Sequence, residues 1–170
     1  MNINLSIVRL AEPEDEHDLM LMCREAHDES PLRNAQGRAL FFSDAKARAT
    51  IRGALYKEQG RASWVGIIGE RGSLQGSVCL SIIEPSTFSH EQFLSATWNF
   101  VRREYRGTGN SRTLLSFSQK VSDTLGIPLF LEEREWHKGK KTLYERALKR
   151  QPSIGVFLYN SLTDSAGAGA

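Results

Sequence analysis

Apolar and polar positions along this chain recur with two periods, and the switches between them mark out the elements. "INLSIVRLA" (residues 3–11) is β-branched and alternating, which predicts a first strand. Pro13 with Glu12, Glu14, Asp15 and Glu16 then predicts a helix start, because acids are favoured at the positive end of a helix dipole. Leu19, Met22 or Cys23, and Ala26 continue it at helical spacing, and "DESPLRNAQGR" breaks it. Asp44 opens a second helix, closed by Gly60. "SWVGIIGE" and "LQGSVCLSIIE" predict a hairpin around "ERGS", with Pro85 ending its second strand and "PSTFSHEQ" as a polar loop. "FLSATWNFV" predicts a fourth strand with Leu94, Ala96, Trp98 and Phe100 on one face.

Leu114, Phe117 or Ser118, Val121 and Leu125 predict an amphipathic helix, stopped by Gly126 and Pro128. "IPLFLEE" reads as a buried fifth strand, "KGKKTLYERALKR" as a helix and "SIGVFLYNS" as a last strand. The order β-α-α-β-β-β-α-β-α-β is that of an α/β layer protein. The helix between the fourth and fifth strands requires a crossover, hence a parallel pair there. Residues 1–162 are expected to form one domain, and "TDSAGAGA" leads into a frayed tail at 163–170.

Composition changes this picture little. A length of 170 residues, 40% hydrophobic and 25% charged, suits a globular domain with a real core. No run is long and apolar enough to span a bilayer, and "MNINLSIVRLAEPEDE" lacks the basic start of a signal peptide. Cys23 and Cys79 fit no CxxC pattern, so a reducing cytoplasm is the expected home. No His/Cys/Asp cluster has metal spacing, and no metal is expected. Charge does redistribute the argument. The net value is +2, yet residues 102–150 hold twelve Lys/Arg against six Asp/Glu. That half invites a polyanion, either nucleic acid or a phosphate-rich cofactor, or else it is a solvated helix face.

The stretch "RREYRGTGNSRTLL" (residues 102–115) sits between an apolar strand and an amphipathic helix. The first N–H groups of that helix lack intrahelical partners, and Gly107 and Gly109 remove side chains where a ligand would approach backbone. The result is a candidate anion site, with Arg106 and Arg112 able to add charge, or a plain turn. No Gly-Lys-Ser/Thr follows, which excludes a Walker loop, and the third glycine of a dinucleotide fingerprint is missing.

"VRREYRGTGNSRTLL" resembles the signature of the GNAT superfamily of acyl-CoA-dependent N-acetyltransferases. The family pattern Arg/Gln-x-x-Gly-x-Gly/Ala falls on Arg106, Gly107, Thr108, Gly109, Asn110 and Ser111, with Ser111 where the family prefers Gly or Ala. "LYERAL" resembles the later Leu-Tyr-Glu helix and "SIGVFLYN" the closing strand, so the likeness covers roughly residues 5–160, closest to small bacterial and phage-encoded members. The resemblance implies a mixed, mostly antiparallel sheet, a splayed parallel pair of strands 4 and 5, and helices on both faces.

It further implies that residues 106–111 hold the pyrophosphate of coenzyme A while the backbone at Asn99, Phe100 and Val101 pairs with pantetheine. Acetyl-CoA would then be the co-substrate, and a primary amine would attack it directly in a ternary complex. Tyr144 is the candidate donor to the departing thiolate, and packing on the sheet is its alternative reading. Glu84, at the end of the third strand, is the candidate base, with Glu132 and Glu133 as alternatives. His137 replaces the Asn often found near that helix start. Glu29, in "HDESPL", would hold an acceptor cation or else simply cap a helix. Trp64, Trp98 and Trp136 read as packing, Trp136 also as a wall of the acceptor cleft, and Cys79 as a small core residue. The acceptor is a small-molecule or protein amine, and a homodimer is open. Two other readings are carried: a catalytically silent module that binds acyl-CoA or a protein partner, and a protein directed at nucleic acid.

Overall fold

A computed structural model describes residues 8–29, 37–56, 62–84 and 92–131. Contacts divide the chain into two units, one of Met1–Pro31 with Phe41–Leu131 and one of Leu32–Leu40 with Glu132–Ala170. The first unit holds nearly all the described residues. The expected later helix, the last strand and the tail lie outside them.

Strand β1 (Arg9–Leu10) leads through a 3-10 turn (Pro13–Asp15) into helix α1 (Glu16–Glu29). The start of that helix is built as the acids and Pro13 predict. Glu12 and Asp15 form a reciprocal capping box, and Pro13 occupies the first turn, where its missing N–H costs nothing. The Asp15 carboxylate also accepts two hydrogen bonds from Arg9 at 2.8 Å, which holds its pKa below the usual range despite burial. Helix α2 (Asp44–Leu55) is capped by Ser43, whose side chain accepts from the Lys46 amide. It ends at Leu55, short of the expected stop at Gly60, which lies outside the described residues. Asp18 of α1 accepts the Gly72 amide at 2.6 Å and so ties the helix to the hairpin turn.

Strands β2 (Ser63–Ile68), β3 (Gly76–Ile83), β4 (Phe93–Val101) and β5 (Leu129–Phe130) complete a sheet ordered β1-β2-β3-β4-β5. The first four strands pair antiparallel, and β4 and β5 pair parallel across helix α3 (Asn110–Leu125). This is the mixed sheet with a parallel 4–5 pair that the element order requires.

One packing expectation is corrected. The β3–β4 register runs Cys79↔Trp98 and then Leu80↔Ala96, so Thr97 is an extra residue in β4, a β-bulge. The bulge shifts the alternation of faces. Leu94 and Ala96 pack with Ile68, Val78, Leu80 and Leu114 on the α3 side. Trp98 and Phe100 pack instead with Leu19, Met22, Ile51 and Cys79 on the α1–α2 side. The four apolar residues of β4 therefore serve two cores, one on each side of the sheet. Trp98 donates to Ser77 Oγ at 3.1 Å, and Trp64 joins the α3-side core, so both tryptophans pack as expected.

Candidate functional site

Strand β4 meets β5 only at Leu94↔Leu129 and Ser95↔Phe130, so beyond the bulge its outer edge has no strand partner among the described residues. Which peptide groups face that edge follows from the alternation of an antiparallel ladder. Arg102 N–H donates to Gln75 O at 2.9 Å, which directs Arg102 and, two residues back, Phe100 toward β3. Asn99 and Val101 are directed to the outer edge. Of the three positions expected to line it, Phe100 therefore contributes its ring rather than its peptide.

The chain next makes a 3-10 turn (Arg103–Tyr105) and passes through Gly107 and Gly109 into α3. Both glycines have positive φ, 87° and 98°, a region that L side chains rarely adopt. A Cβ at either would meet nothing within 4 Å, so it is the backbone and not packing that requires glycine, and the space above the bend is open. Thr108 folds its hydroxyl inward onto Tyr105 O at 2.7 Å. Asn110 is buried, and its side chain donates to Gln75 Oε1 at 3.0 Å, which fixes the first turn of α3 against β3. The helix cap itself is Gly109, with no side chain occupying the capping position. The amides of the first turn, including that of Ser111, thus rim a positively polarised bend. Ser111 is half-buried and small enough to leave it accessible.

Arg106 differs from the sequence expectation. Its guanidinium turns back from the bend: it pairs with Glu29, donates to Val101 O at 2.9 Å and lies over the Phe100 ring at 5.5 Å. Its amide closes the 3-10 turn onto Arg103 O at 3.2 Å. Arg103 and Arg112, which flank the bend in sequence, are both exposed and in no ion pair among the described residues. Glu29 is correspondingly engaged by Arg106. One turn earlier on α1, Glu25 takes Arg102 through two hydrogen bonds of 2.8 and 2.9 Å. Two glutamates four apart thus grip two arginines four apart and fasten α1 to the glycine bend. The spacing was present in the sequence, but nothing local indicated that these elements meet.

On the α1–α2 side of the sheet an open cleft of about 1340 Å³ runs between α2 and strands β2 to β4. Its floor carries Ser63, Cys79, Ser81 and Thr97, its α2 wall Lys46, Arg48 and Arg52, and its end Glu84 and Gln92. Glu84 is exposed and accepts from Gln92 Nε2 at 3.3 Å. Glu16 of α1 is shared by Arg52, at 3.0 and 2.9 Å, and Arg48, at 2.8 Å, and these donors hold its carboxyl below the usual range. Burial pushes the Cys79 thiol up to about 12, so it stays protonated and is unsuited to carry an acyl group. Among the described residues no group of three or more His, Cys, Asp or Glu is placed to hold a metal ion. Nor, among them, is any helix long and apolar enough to cross a membrane. Tyr144, Glu132, Glu133, Trp136 and His137 lie outside the described residues.

The fold recurs in solved structures. A protein of Clostridium difficile 630 described as a possible acetyltransferase superposes with a TM-score of 0.65 at 16% identity, over 91% of this chain and 96% of that one. A predicted acetyltransferase of Clostridium acetobutylicum, crystallised with acetyl-CoA, matches with a TM-score of 0.65 at 15% identity, over 89% and 94%. An integron cassette protein from the mobile metagenome of Cole Harbour salt marsh matches with 0.65 at 22% identity, over 91% and 90%. No protein-family model matches the chain, and no curated protein matches it by sequence. At these identities the likeness is one of fold: the chain has the GNAT acetyltransferase fold.

Proposed function

We propose that this protein is an acetyl-CoA-dependent N-acetyltransferase that acts on a primary amine. One observation carries the reading. A strand whose outer edge beyond a bulge has no strand partner among the described residues leads through a short 3-10 turn into a glycine bend rimmed by the amides of a helix start. An open strand edge offers alternating donors and acceptors to an extended amide-bearing chain, and the bend offers N–H groups and dipole to a diphosphate. Coenzyme A joins those two chemistries in that order. Acetyl-CoA would be held by Asn99 and Val101 along the edge and by residues 107–111 at the bend, with Arg112 and Arg103 adding charge. The group supplies an activated acetyl thioester, and the rest is the chain's task.

The outward N–H groups of β4 polarise the carbonyl as charge develops on its oxygen. The acceptor enters by the cleft, where Thr97 brings the bulge within reach. An alkylamine with a pKa of about 10.4 must lose a proton before attack. Glu84, directly or through water, is the base we assign, and Tyr144 is the donor to the leaving thiolate.

The test has two stages. Thermal denaturation with and without acetyl-CoA should show a rise in Tm. A thiol-release assay against mixed amines and peptides should then show turnover. No stabilisation by coenzyme A would overturn the reading, and stabilisation without turnover on any acceptor would leave a silent binding module.

A further inference from the structure

We infer that the acceptor carries an anionic group as well as its amine, and that the α2 wall of the cleft recognises that group. The inference rests on the transferase reading for the amine but not for the anion. Lys46, Arg48 and Arg52 line one wall, and Ser63, Ser81 and Thr97 lie on the floor. Glu16 is shared by two guanidiniums, so one carboxylate faces two positive charges. Lys46 forms no ion pair among the described residues. The wall thus presents three cationic side chains, of which Lys46 is the one outside the Glu16 cluster, while the acid that lines the cleft among the described residues is Glu84, at its end with Gln92.

The floor points the same way. Ser63 Oγ lies 3.2 Å from Ser81 Oγ, which lies 3.3 Å from Thr97 Oγ1, a row of hydroxyls crossing three strands. Each hydroxyl carries a single hydrogen, and the two contacts between them use one hydrogen each. The third lies within reach of Cys79, which hydrogen-bonds with both Ser81 and Thr97, so the row gives the cleft a polar floor. A cleft with cations on one wall, a hydroxyl-bearing floor and an acid at the far end matches a small molecule with an oxyanion at one end and an ammonium at the other. A neutral or purely cationic amine would leave Lys46 on that wall without a counter-charge.

Matched acceptor pairs test this. Thiol release with acetyl-CoA is measured for β-alanine against β-alaninamide and for phosphoethanolamine against ethanolamine. The anionic member of at least one pair should be favoured by about tenfold or more in kcat/KM, the size of one charge-assisted hydrogen bond. The pair with the larger ratio identifies carboxylate or phosphate as the group. K46Q and R48Q should each move that ratio toward one, and R48Q keeps the Arg52–Glu16 pair in place to support the fold. Equal or better use of the neutral members, or a preference that survives both substitutions, overturns the inference. If no amine turns over, calorimetric titration of succinate against succinamide decides. Tighter binding of succinate that weakens in K46Q retains the anion site and removes the transferase reading, and no difference between the two ligands overturns the site.

Discussion

Gly107, Gly109 and Gly126 supply a controlled experiment on the bend. All three have positive φ, 87°, 98° and 66°, and a Cβ at any of them would meet nothing within 4 Å. Substitution by Ala therefore exerts the same stress at each: about 1–2 kcal/mol for a left-handed L residue, offset by about 0.4–1 kcal/mol from the stiffer unfolded chain. The net loss is about 0.5–1 kcal/mol, or about 1–4 °C in Tm for a domain of this size. Ligand binding should separate them. Gly107 and Gly109 border the open space over the α3 amides, whereas Gly126 caps the opposite end of that helix. An added methyl at 107 or 109 holds a phosphate off the backbone and forfeits a charge-assisted hydrogen bond of about 1.5–3 kcal/mol, about 10–100-fold in Kd. Isothermal titration with acetyl-CoA, beside thermal denaturation of the same samples, measures both quantities. Gly107→Ala and Gly109→Ala should bind far more weakly and Gly126→Ala as the parent does. Equal affinity in all three, or equal loss in all three, would refute the assignment of the bend.

Tyr144→Phe keeps the ring and removes the hydroxyl, so turnover should fall about 100-fold or more with Tm and acetyl-CoA affinity little changed; unchanged turnover excludes it as the acid. Asp15→Asn should cost about 2–4 kcal/mol near neutrality, because the Asp15 carboxylate is fully buried against Arg9. Its folded pKa is depressed, so that stabilisation is present above the unfolded value of about 3.9 and drains away as pH falls through the lower folded one. The Tm gap between parent and variant should accordingly narrow from pH 7 to pH 2, and a constant gap contradicts the assignment. Gly66→Ala would place a Cβ 2.6 Å from Phe117 and 2.9 Å from Val8, costing about 1–3 kcal/mol by denaturant unfolding. Phe117→Leu in the same chain should recover part of the loss, and a neutral single variant would show the site to be looser than described.

Local chemistry was legible in the sequence wherever it acts over a few residues. Pro13 and the acids around it, the positive-φ glycines and the helix-stopping Gly126 all behave as their chemistry requires, and α3 faces the sheet as its apolar spacing predicts. What could not be read depends on partners distant in the chain. "FLSATWNFV" alternates without a flaw, so nothing in it announces an extra residue; the bulge exists only relative to β3. Arg106 looked like a ligand for phosphate because its neighbours are glycines. Its carboxylate partner, Glu29, lies 77 positions away. The hydroxyl row was hidden for the same reason, since Ser63, Ser81 and Thr97 become neighbours only once three strands are in register.

Thr97 could vanish without moving a single apolar side chain to the wrong side of the sheet, since Ala96 and Trp98 already point to opposite faces. The shortened strand would pair continuously with β3. On the proposed reading, such a protein would lose the place along β4 where acetyl-CoA is held. The loss of a single codon at this one place would thus regularise the strand and, on the same reading, cost the protein its activity.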